Sequence, residues 1–155
     1  MTLPVRSLRR CPLGLAVLLL ALATPYEPAG STTNGLLTLA GASGLGIVDA
    51  PELNPTGGIT IEAWVRPTTF AGFPTIVGKS YQLGYWLGLT TGGRVRFYAN
   101  GAGSAVDGVR TLPLNAWTHV AATFDGTTKR IYVDGSLDRE VIAPAPLPIS
   151  PVAFL

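Results

Sequence analysis

A chain of 155 residues, 47% hydrophobic and 13% charged, with 19 Gly and 13 Pro, accommodates at most one ordinary globular domain. The Gly and Pro content excludes a helical bundle, the hydrophobic fraction excludes a disordered chain, and a single cysteine, Cys11, excludes an intramolecular disulfide framework. The formal charge of +2 invites an anionic partner, so the location of the charges decides the class.

The positive charge gathers at the start. Arg6, Arg9 and Arg10 precede an apolar run from Leu13 to Ala23, which ends in small residues just before Thr24-Pro25. A basic start, a short apolar centre and small residues at the cut predict a secretory signal peptide over residues 1–23. The run has 11 residues, well short of the roughly 20 a membrane-spanning helix needs. Cys11 precedes the apolar run, where a lipoprotein cysteine would follow it. Removing the leader leaves eight Lys and Arg against nine Asp and Glu, and no cysteine. Arg94, Arg96, Arg110 and Arg130 are scattered among acids and turns, so nucleic acid is not an expected partner, nor is membrane insertion after leader removal.

Residues 24–35 mix Pro, Gly, Ser and Thr and read as a flexible lead-in. The domain follows over 36–155. Apolar segments alternate with turn residues: LLTL at 36–39, GIVD at 46–49, ITIEAWV at 59–65, TIVGK at 75–79, GYWLGLT at 84–90, RVRFYA at 94–99, WTHVAATF at 117–124 and KRIYV at 129–133. This spacing predicts an all-β, antiparallel sandwich or barrel. In RVRFYA, Val95, Phe97 and Ala99 face one way and Arg94, Arg96 and Tyr98 the other; in ITIEAWV, Ile59, Ile61, Ala63 and Val65 oppose Thr60, Glu62 and Trp64. Gly92-Gly93, Asp125-Gly126 and Asp134-Gly135 supply the left-handed backbone that tight hairpins require, the last leading into SLDREVIA.

Several ordered blocks then resemble a known family. Leu53-Asn54-Pro55 leading into Ile59 to Pro67, Ile76-Val77-Gly78-Lys79, Arg94 to Tyr98, Leu114 to Gly126 with its Trp117-Thr118-His119-Val120-Ala121 core, and Ile131 to Gly135 are similar to laminin G-like (LamG) modules of the concanavalin A-like lectin/glucanase superfamily. The resemblance implies a two-sheet jellyroll sandwich, mostly non-catalytic, secreted or on the cell surface, with glycans or extracellular proteins as partners. Family members continue after SLDREVIA with further strands, whereas this chain stops at Pro151 to Leu155. The resemblance therefore implies a domain lacking its last strands, with LLTL and its neighbour left on an unpaired apolar edge.

The chemistry follows from few residues. Glucanases of the superfamily set paired acids two residues apart on one strand face. Glu62 has Thr60 and Trp64 at those positions, so an enzyme is not expected. His119, the sole histidine, reads as a packed or hydrogen-bonded structural residue, and an Arg or His119 is the expected partner of Glu62. Trp64 and Trp117 read as core. Tyr81, Tyr85 and Trp86, at a turn and a strand start, form either core or a stacking platform for sugar rings. Some LamG modules bind calcium, for which Asp49, Asn100 and Asp107 offer oxygens without a diagnostic spacing. The expected ligand-binding residues are Tyr81, Tyr85, Trp86, Asn100 and Asp107. The expected function is a secreted carbohydrate-binding or adhesion module, with a structural or protein–protein interaction module as the alternative and a glucanase-like hydrolase third.

Overall fold

The structure, a computed structural model, describes residues 36–41, 43–79, 84–99 and 105–144, and the backbone alone of Ala16–Leu19. Its strands in chain order are β1 (Ala16–Leu19), β2 (Ile59–Val65), β3 (Thr75–Lys79), β4 (Tyr85–Leu89), β5 (Arg94–Ala99), β6 (Val106–Thr111), β7 (Thr118–Phe124), β8 (Thr128–Val133) and β9 (Ser136–Ile142). They form two sheets, ordered β1-β2-β7-β8-β9 and β3-β4-β5-β6. All pairings are antiparallel except that of β1, which lies parallel to β2 with Ala16 opposite Ile59 and Leu19 opposite Glu62. This is the expected all-β two-sheet sandwich. The expected lead-in lies outside the described residues, and β1 falls within the expected leader.

The inner faces follow from strict alternation. Ile59 and Ile61 of β2, Val120, Ala122 and Phe124 of β7, and Ile131 and Val133 of β8 meet Val77, Leu87, Leu89, Val95, Phe97 and Ala99 of the other sheet. Removing each of these larger side chains from water contributes about 1.5–3 kcal/mol, which is what holds two otherwise separate sheets together. The turns form as the sequence predicts: Gly93, Gly126, Asp134 and Gly135 adopt φ of 73°, 91°, 49° and 74°. The Asp125 carboxylate accepts bonds from the Thr127 and Thr128 backbone N–H groups at 2.9 and 2.7 Å, closing the β7–β8 hairpin.

Two expectations differ from the structure, and one strand answers to no expectation. LLTL and GIVD form no strand, and Leu36, Leu37, Leu39, Leu45, Ile47 and Val48 are exposed. Trp64 and Trp117 are not core: they are 66% and 49% exposed, Trp64 because it shares the outward face of β2 with Thr60 and Glu62. Strand β6 carries no apolar alternation beyond Val106, yet it forms, paired to β5 on one edge and held by β9 from outside its own sheet on the other. Asp138 on β9, its side chain 2% exposed, accepts hydrogen bonds from the Val109 and Arg110 backbone N–H groups at 2.7 and 3.2 Å and from Arg110 Nε at 3.0 Å. Arg110 Nη2 also donates to the Val133 carbonyl at 2.8 Å. A carboxylate thus stands in for a missing ladder partner and clips the margins of the two sheets together. A Cβ on Gly108 would lie 2.3 Å from Asp138 Oδ2, so a larger residue here must displace the carboxylate.

Candidate functional site

Three of the expected ligand-binding residues lie in the β3-β4-β5-β6 sheet, Trp86 and Asp107 on its outer face and Tyr85 on its inner one. Tyr85 opens β4 opposite Ala99, which closes β5, so the connections containing Tyr81 and Asn100 leave the sheet at the same end. Tyr81 and Asn100 themselves lie outside the described residues. Tyr85 and Trp86, as neighbours on a strand, point to opposite faces. Tyr85 turns inward, is 3% exposed, and donates its hydroxyl to the Leu53 carbonyl at 3.1 Å. Burial, reinforced by the nearby Asp49 charge, raises its phenol above the ordinary tyrosine range.

Trp86 turns outward and is nevertheless 6% exposed. Its indole lies across Gly78 and Gly88, where an added Cβ would come within 2.8 and 2.3 Å of the ring, and meets Tyr98 edge-on with centroids 5.7 Å apart. Trp86 Nε1 donates to Thr75 Oγ1 at 3.0 Å, so both ends of the ring are fixed. In the adjoining cross-strand row, Gly88, Arg96 and Asp107 lie side by side. Arg96 grips Asp107 with two parallel bonds at 2.5 and 2.8 Å, and Arg94 stands 3.8 Å from the same carboxylate. The Arg96 bond is the main reason the Asp107 carboxyl is held below the usual carboxylate range. Phe73 lies 5.5 Å from the Arg96 guanidinium and is itself exposed. Phe73 has a φ of 54°, a left-handed backbone that costs a non-glycine residue roughly 1–2 kcal/mol. The face therefore presents a planar cation, its carboxylate and a propped aromatic ring. Sequence reasoning singled out Trp86 and Asp107 but missed Phe73 and Arg96; the outward Arg94-Arg96-Tyr98 alternation was the available signal.

On the inner face of the same end, Lys79 is 1% exposed, although it closes an apolar strand. Its ammonium donates to Asp49 Oδ1 and, at 2.8 Å, to Asn54 Oδ1. The Lys79 bond holds the Asp49 carboxyl below its ordinary value. Of the expected calcium ligands, Asn100 lies outside the described residues, and Asp49 and Asp107 do not share a site. Asp49 and Asp107 lie on opposite faces of the sheet, and each carboxylate already carries a cationic side chain. On the outer face of the β2-β7-β8-β9 sheet, His119 Nε2 lies 3.6 Å from Glu62 Oε2, the expected partnership.

A second lysine, Lys129, shares the inner face of β8 with Ile131 and Val133 and is fully buried. Burial pulls its ammonium down to about 8 from an ordinary 10.5. Below pH 8 folded and unfolded chains both hold this proton and the burial penalty is felt in full. Between pH 8 and 10.5 the unfolded chain binds more protons, so stability rises with pH. Above 10.0 Tyr85 acts oppositely, because the unfolded phenol ionises while the folded one does not. Urea midpoints are expected to climb from pH 8, turn over near pH 10, and lose the climb in Lys129→Met and the fall in Tyr85→Phe.

The sequence profile of Laminin_G_3, concanavalin A-like lectin/glucanases superfamily, matches residues 39–152. The chain belongs to this family. Among solved structures it is similar to a candidate carbohydrate-binding protein from Bacteroides ovatus, at 20% identity and a TM-score of 0.53 over 64% of this chain and 30% of that one. It is also similar to domain 4 of AbnA, a GH43 extracellular arabinanase from Geobacillus stearothermophilus solved with arabinotriose (19% identity, TM-score 0.47, 63% of this chain and 50% of that one). A third is the LG4-5 pair of the mouse laminin alpha1 chain (21% identity, TM-score 0.44, 87% of this chain and 39% of that one). The chain thus spans half or less of the length of these proteins. The Bacteroides likeness shows a shared fold. Curated protein sequences give no match. No helix among the described residues is long and apolar enough to cross a membrane.

Proposed function

We propose that the chain is an exported, non-catalytic carbohydrate-binding module. Residues 1–23 would be removed on export, and 36–155 would carry the domain. The observation that carries this reading is the outer face of the β3-β4-β5-β6 sheet. Asp107, in the grip of Arg96, offers a hydrogen-bonding pair of the kind that reads vicinal hydroxyls, beside the exposed ring of Phe73. Trp86 and Tyr85 would act beneath this surface as rigid support. Binding is favoured over hydrolysis because Glu62 has Thr60 and Trp64, not a second acid, two residues away on its strand face, whereas glycoside hydrolysis needs a pair of carboxyls. The test is a glycan array with the purified protein. Binding of at least one glycan, weakened about tenfold or more by Asp107→Asn while the variant stays folded by circular dichroism, is expected. An array with no bound glycan would overturn the reading.

One observation favours an interaction module instead. The exposed apolar side chains between Leu36 and Val48 are what a protein partner would cover. That reading expects a stable complex with a second polypeptide and no glycan binding.

A further inference from the structure

We propose that the outer face of the β2-β7-β8-β9 sheet carries a stacking platform for a neutral pyranose ring, built from Trp64 with Glu62 and His119 beside it. The proposal rests on the carbohydrate reading above but uses a different face of the molecule. At 66% exposure, Trp64 is by far the most open of the described tryptophans. It is also not loose: it sits directly across from His119 in the β2–β7 ladder, with ring centroids 5.4 Å apart and planes tilted by 55° to one another. The imidazole packs against the indole on that side. Glu62, two residues back on the same face, reaches His119 Nε2 at 3.6 Å, and among the described residues its carboxylate makes no other polar contact. No described residue accepts a bond from the Trp64 indole N–H. Beyond Glu62 the register continues through Ala121 to Tyr132, so a small side chain leaves a step between two aromatic residues.

This arrangement has the parts that hold a sugar. The C–H face of a pyranose is apolar and flat and covers an indole well. The ring's hydroxyls donate to a carboxylate in charge-assisted bonds, roughly twice as strong as neutral ones, and accept from the indole N–H or the imidazole. Because neighbouring strands already hold the indole, little side-chain freedom is lost on binding. The Glu62 charge also sets specificity: it repels uronic and sialic acids and leaves neutral sugars favoured. With the Asp107 face on the other sheet, the module would have two glycan contacts pointing away from one another.

The test titrates the purified protein with cellohexaose, xylohexaose and hexagalacturonate, read by tryptophan fluorescence and calorimetry. At least one neutral hexasaccharide is expected to bind, with affinity reduced about tenfold or more in Trp64→Ala and partly restored in Trp64→Phe. Glu62→Gln is expected to weaken the neutral ligand and to narrow the discrimination against hexagalacturonate. Trp64 is exposed, so these variants keep the thermal midpoint of the parent. Binding that is unchanged in Trp64→Ala but lost in Asp107→Asn would overturn the platform and leave the carbohydrate reading standing. Hexagalacturonate bound more tightly than the neutral sugars would overturn the platform. Absence of binding to any oligosaccharide on the wider array would overturn both.

Discussion

Replacing Asp138 with Ala is expected to lower stability by about 2–4 kcal/mol, seen as a drop in the urea midpoint at constant slope. The carboxylate is the acceptor for two backbone N–H groups of β6 and for Arg110 Nε, and its side chain is shielded from water. Its loss removes charge-assisted bonds and leaves the β6 edge held to β8 and β9 only through Arg110 Nη2. Asp138→Asn, which keeps one acceptor oxygen, should lose about half as much. Gly108→Ala should cost a comparable amount in the parent chain, since the new methyl displaces the carboxylate. In an Asp138→Ala background the same substitution should cost almost nothing. Additive losses in that double-mutant cycle would show that the two positions do not act through one contact.

Lys79→Ala is the second large effect, with an expected loss of about 3–5 kcal/mol. The aliphatic stem is buried at the end of β3, and the ammonium joins the strand to the Asp49–Asn54 segment through two side-chain acceptors. Truncation empties packed space and releases that segment together. Lys79→Met keeps the stem and should recover more than half of the loss. Asp49→Asn should be milder than either, because Asp49 is partly open to water and a neutral amide still accepts from Lys79. Thermal melts of the three variants test the ranking. A Lys79→Met as unstable as Lys79→Ala would assign the whole effect to charge pairing.

Most of the framework is legible in the sequence, for a physical reason. Strands β2 and β5 alternate and β3 is a short apolar run, so their predicted limits coincide with the observed ones, and β4, β7, β8 and β9 agree to within one residue. Strand β6 escapes because what holds it is a carboxylate about thirty residues downstream, and no local pattern announces a side chain acting as a ladder partner. The reverse error occurs at LLTL, where an apolar run fits a strand but finds no ladder to join. Trp64 shows two signals in conflict: periodicity sets it outward beside Glu62, while residue type argues for core, and periodicity prevails. Trp86 shows the opposite outcome, since it faces outward yet is covered by Tyr98 and bedded on Gly78 and Gly88. At the candidate site, Asp107 and Trp86 could be chosen from residue type and position. Phe73 could not, because its place depends on a left-handed backbone preceding Pro74.

The two buried amines have a practical consequence. Lys79 and Lys129 are the chain's only lysines, and every other basic side chain is an arginine or His119. Amine-directed reagents should therefore modify the folded protein at its N-terminus alone, which gives attachment to a sensor surface through a single point. Labelling of either lysine would then report opening of the sandwich. Modification at Lys129 would date the parting of β8 from the opposing sheet, and modification at Lys79 the release of the Asp49–Asn54 segment.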